Sequence, residues 1–84
     1  VNYIVKKRSH PFRVGDLITC WDEEMNRSII GYVLEVRTNK RLGDDDIHIR
    51  WNDIFVAFEV CGSTDATRRM RAGLWRIHRM NTKL

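Results

Sequence analysis

The sequence predicts an all-β domain, five strands curled into a small barrel with one short helical turn near the C-terminus. Three observations predict it. The segment Ile47-His48-Ile49-Arg50-Trp51 alternates strictly, so that Ile47, Ile49 and Trp51 share one face while His48 and Arg50 share the other. Two further runs, Ile29 to Arg37 and Ile54 to Val60, are rich in β-branched and aromatic residues and bounded by turn signals. With 84 residues the chain can bury only roughly 60 to 65% of its unfolded surface, which leaves room for one compact core.

Asn2 to Val5 reads as a strand-like arm, followed by the basic run Lys6-Lys7-Arg8 and by His10-Pro11, where proline disfavours helix at the residue before it. Residues 1–11 are therefore assigned to a basic arm, 12–80 to the barrel and 81–84 to a tail. Gly15 and Asp16 supply a turn into the first core strand, Leu17 to Trp21. Asp22 to Ser28 is polar enough to be a solvated loop. Ile29 to Arg37 is the strongest strand by composition, and Gly31 within it suggests a bulge or bend. Thr38 to Asp46, with Asn39, Gly43 and three consecutive aspartates, reads as a solvated turn. Asn52-Asp53 is a tight turn that makes a hairpin of the strands on either side.

The C-terminal third admits two readings. Ala66, Met70, Leu74 and Ile77 are spaced as a helical stripe that Ser63 or Thr64 could cap, which gives an α+β alternative with a C-terminal helix. Against it stand Gly73 within the stripe and Arg68-Arg69 in its first turn, where cations oppose the macrodipole. The favoured assignment is a strand over Thr67 to Arg71, a helical turn over Ala72 to Leu74 and a last strand over Trp75 to Arg79. The core is expected around Leu17, Leu34, Ile49 and Ile77, with Trp51, Phe58 and Tyr32 as its large rings.

No apolar run approaches the ~18 residues of a membrane span, and no signal-peptide pattern is present, so a chain neither secreted nor membrane-bound is expected. Cys20 and Cys61 sit in apolar segments and read as buried free thiols. The histidines His10, His48 and His78 are far apart, there is no nucleophile elbow, no CxxC and no HxxxH. The expectation is a non-enzyme with no metal, cofactor or small-molecule substrate.

Charge is distributed unevenly. The charged residues of Val1 to Arg13 and of Thr67 to Leu84 are all basic, whereas Val14 to Ala66 holds all eleven acidic residues. Basic ends around an acidic centre suit an acidic protein surface, a neighbouring copy or a polyanion. Arginine dominates lysine, and guanidinium forks engage carboxylate and phosphate bidentately. The candidate binding residues are accordingly Arg68, Arg69, Arg71, Arg76 and Arg79, the arm residues Lys6, Lys7 and Arg8, and two candidate partner-facing rings, Trp75 and Trp21.

The succession Val14-Gly15-Asp16-Leu17-Ile18, Gly31-Tyr32-Val33-Leu34-Glu35-Val36, Ile47 to Asp53 and Leu74-Trp75-Arg76-Ile77 resembles the SH3-like small barrels, whose outline KOW, Tudor and chromo-like modules share. Within them it looks most like short SH3-like proteins of tailed bacteriophages, over Phe12 to Met80. The long apolar run Ile54 to Val60 and the basic arm depart from that pattern. The resemblance implies a non-catalytic interaction module, an accessory or structural protein of a virion, docking through its basic termini on a larger assembly or on neighbouring subunits, in the virion or host cytoplasm. Two alternatives stay open: a nucleic-acid-binding module that uses the basic ends, and a reader of peptides or modified tails through an aromatic cleft.

Overall fold

The computed structural model describes residues 10–39 and 43–79. Five strands, β1 (Leu17–Asp22), β2 (Arg27–Asn39), β3 (Asp44–Trp51), β4 (Phe58–Gly62) and β5 (Trp75–His78), form one antiparallel sheet in the order β4-β3-β2-β1-β5. A helix, α1 (Ser63–Arg71), connects the two edge strands. The sheet is open, not the closed barrel expected from the sequence. The physical reason lies in α1, which occupies the inner side of the sheet against β3, β4 and β5 and keeps β4 and β5 from pairing.

Period-two alternation sorts the side chains into two faces. Ile18, Val33, Ile47 and Ile49 are completely buried on the inner face, joined by Phe12, Trp51, Cys61, Ala66 and Trp75. Leu17, Leu34, Tyr32 and Phe58, expected in the core, instead stand exposed on the outer face. The misplacement is one of parity: both sets of alternate residues in β2 are apolar, so alternation could not tell which set turns inward.

Gly31 does not make the bulge. Its register is regular, opposite Ile18 on one side and Trp51 on the other, and the irregularity falls between Val33 and Glu35. Glycine is required for a different reason. A Cβ at this position would lie 2.7 Å from Ile49 Cγ2 and from the Trp51 ring, which pack directly over the bare backbone.

The helix begins at Ser63 itself, one of the two residues expected to cap it, and ends at Arg71. Arg68, Arg69 and Arg71 therefore fall in its last turn, where cations favour the dipole, and Gly73 lies beyond its end. Gly73 has φ +80°, and the amides of Gly73 and Leu74 donate to the carbonyls of Met70 and Arg69, closing a Schellman motif. The expected strand over Thr67 to Arg71 is thus helical.

At the other end no side chain of the N-cap residue Gly62 can cap the helix. The Asp44 carboxylate, from the start of β3, takes that role by accepting from the Ser63 and Thr64 hydroxyls and from the Thr64 amide at 3.1 Å. The expected solvated aspartate turn is corrected accordingly. All three aspartates belong to β3, with Asp45 bonded to His10 at 2.8 Å and Asp46 to Asn39 at 3.3 Å.

Candidate functional site

Two of the five arginines singled out in the C-terminal third are consumed by the fold. Arg69 donates to Glu59 at 3.1 Å and reaches Asp65 at 3.0 Å, while its guanidinium lies 4.9 Å from the centre of the Trp75 ring. Glu59 also accepts from Trp51 Nε1 at 2.9 Å, so one carboxylate joins the core rings to α1. Arg79 is bound to the buried Asp16 and to the Pro11 carbonyl. Arg68 makes a surface pair with Asp65 at 3.0 Å. Arg71 and Arg76 are exposed and engage no acidic side chain among the described residues. Lys6, Lys7 and Arg8 lie outside the described residues, as do most of the arm and the whole tail.

Trp75 is corrected from partner-facing ring to core ring, with 4% of its surface accessible. It meets Trp51 at 5.6 Å and Phe12 at 6.3 Å, both edge to face. Its neighbours in sequence carried the signal: Trp75 and Ile77 alternate with Arg76 and His78, and opposite Trp75 in β1 stands the inward-facing Cys20. Trp21 stands on the outer face, half exposed.

The outer face of the sheet carries exposed side chains on every strand. One register row crosses all five strands as Phe58, Arg50, Tyr32, Leu17 and His78. Ile30, Leu34 and Val60 stand beside it, so that aromatic and aliphatic side chains surround the exposed Arg50. Large apolar side chains exposed together on one face are a feature of interaction sites.

At one edge of this face the segment 52–57 rises as a loop where a strand was expected from Ile54 onward. Both of its ends are tied down, by the Trp51 amide to the Ala57 carbonyl at 2.9 Å and by the Asn52 amide to the Ile30 carbonyl at 2.7 Å. Asp53 is clamped by Arg27 at 2.7 Å. This framework presents Ile54 and Phe55 with 88% and 74% of their surface accessible, the most exposed large apolar residues described. Beneath the loop runs a groove lined by Ile30, Tyr32, Arg50, Asn52, Ile54 and Ala57.

Sequence reasoning missed Tyr32, Phe58, Ile54 and Phe55 as surface residues. The one signal present was the lack of alternation in Ile54-Phe55-Val56-Ala57, which a half-buried strand would have shown.

Both cysteines are free thiols, and burial pushes the Cys61 thiol up to about 11, so it stays protonated at neutral pH. Among the described residues no cluster of three or more His, Cys, Asp or Glu side chains is arranged to hold a metal ion, and no helix is long and apolar enough to cross a membrane. Comparison with protein-family models, curated proteins and solved structures returns no match.

Proposed function

We propose that this protein is a non-catalytic interaction module that docks on a larger protein assembly through the outer face of its sheet and the loop 52–57. The observation that carries this reading is the loop itself, tied at both ends and holding Ile54 and Phe55 out in water. A loop already fixed in place loses little conformational entropy on binding, and large apolar anchors supply most of the affinity of protein interfaces. An SH3-like kinship, supported by the meander whose last strand returns beside its first, would make that assembly part of a phage virion.

The nucleic-acid alternative fits the described surface less well. Arg50 and Arg76 are separated by three strand spacings, about 14 Å, with Tyr32, Leu17, Ile30 and Thr19 between them. A phosphate backbone calls for a closer succession of cations.

Selection of displayed random peptides on the immobilised protein tests the reading. Peptides should be recovered that bind saturably, and the double change Ile54→Ser with Phe55→Ser should weaken them about tenfold or more. Binders indifferent to that change, or no binders at all, would overturn it, and salt-dependent binding of an oligonucleotide would then favour the nucleic-acid alternative.

A further inference from the structure

Resting on the protein-docking reading, we propose that the groove beneath loop 52–57 reads a carboxylate on the partner, held by Arg50 beside a bulky apolar side chain that fills the groove. The partner element is then a segment in which Asp or Glu stands next to a large apolar residue.

Four observations converge on this occupant. Arg50 lines the groove and is exposed, and among the described residues no hydrogen bond or ion pair engages its guanidinium. Its cross-strand neighbours on the same face are Tyr32 and Phe58, directly opposite in register, at the ~5 Å that separates such side chains. A carboxylate reaching Arg50 is therefore shielded from water by two rings, which strengthens a bidentate guanidinium–carboxylate contact relative to one in open solvent. Finally, three acidic side chains on the strands and loop of this face are already committed: Glu35 to Arg37 at 2.9 Å, Asp53 to Arg27 at 2.7 Å and Asp46 to Asn39 at 3.3 Å.

Those commitments also decide against a second copy of the chain as occupant. Two outer faces stacked together would bring Arg50 and Arg76 of each against strands whose outward carboxylates are already engaged, the exposed Glu23 and Glu24 standing apart in the turn between β1 and β2, and the like charges would repel. Charge complementarity instead calls for a partner that brings its own acid. The groove walls, Ile30, Ile54 and Ala57, call for an apolar side chain beside it.

Parallel selection of the same displayed random peptides on the wild-type protein and on Arg50→Gln tests the proposal. On the wild type, recovered peptides should be enriched in Asp or Glu adjacent to Leu, Ile, Met or an aromatic residue, and the enrichment in acid should vanish on Arg50→Gln. The strongest wild-type peptide is then synthesised with its acid and with the corresponding amide. Loss of the charge should weaken binding to the wild type about tenfold and leave binding to Arg50→Gln unchanged, the signature of a direct coupling. Arg50 is exposed and unpaired, so the variant should keep the wild-type melting temperature.

Peptides that require Ile54 and Phe55 but show no preference for acid would overturn the carboxylate proposal and leave the docking reading standing. Failure to recover any peptide would overturn both. Saturable binding of a single-stranded oligonucleotide that disappears on Arg50→Gln would assign the guanidinium to phosphate and equally overturn the proposal.

Discussion

Arg79 grips Asp16 with both arms of its guanidinium, Nε donating to Oδ1 at 2.9 Å and Nη2 to Oδ2 at 2.8 Å, across 63 positions of chain. The pair joins the end of β5 to the turn that leads into β1, and Asp16 is buried beneath it. The same carboxylate accepts the Arg13 amide at 2.8 Å, so one acid organises the turn and anchors the last strand.

Stability should therefore fall on acidification. The Arg79 guanidinium holds the Asp16 carboxyl below its ordinary value, and the Ser63 hydroxyl does the same for Asp44. A folded pKa below the unfolded one means that the stabilisation is complete above the ordinary carboxylate value, near 4, and is lost as pH falls through the lower folded value. Thermal melts between pH 6 and pH 2 should show a declining midpoint. Asp16→Asn should start lower at pH 6 and decline less steeply.

Trp75→Ala should destabilise the domain by about 3–5 kcal/mol, because it empties the space shared by Phe12, Trp51 and the Arg69 guanidinium. Urea denaturation measures it. A loss under about 1 kcal/mol would mean that the ring is not part of the core.

Gly31→Ala should cost about 1–3 kcal/mol despite adding a single methyl group. The new carbon would overlap Ile49 and the Trp51 ring, and neither can withdraw without disturbing the buried centre of the sheet. Tryptophan fluorescence followed through the same denaturation would report both the destabilisation and the displaced ring.

Asp44→Ala should remove about 1 kcal/mol by leaving the first turn of α1 without its acceptor. Asp44→Asn, which keeps an acceptor oxygen, should recover part of that. Hydrogen exchange at the amide of Thr64 is the local readout, and it should accelerate in the alanine variant more than exchange at Ile49.

Much of the fold was legible in the residues. Strict alternation from Ile47 to Trp51 placed His48 and Arg50 together on one face, where they are found. The turn at Gly15-Asp16, the strand Leu17 to Trp21 and the final strand from Trp75 were legible for the same local reasons. The helix was partly legible: its apolar stripe was present, but its start was set by an acid from β3 that no local pattern contains. The candidate site was the least legible. Tyr32 and Leu34 are as apolar as Val33, and β-strand periodicity cannot rank two apolar faces.

By itself the sequence determined that this is a small, predominantly β domain with a single core and the approximate place of most strands, because turn chemistry and side-chain alternation act over a few residues. Only the tertiary structure decided that the sheet stays open, that Trp75, Arg69 and Arg79 turn to structural duty, and that Ile54 and Phe55 face outward. Those outcomes depend on contacts between residues far apart in the chain, such as Glu59 with Arg69 and Asp16 with Arg79. Charge and hydrophobicity state what a side chain can do, and its neighbours in space determine whether it is already doing it.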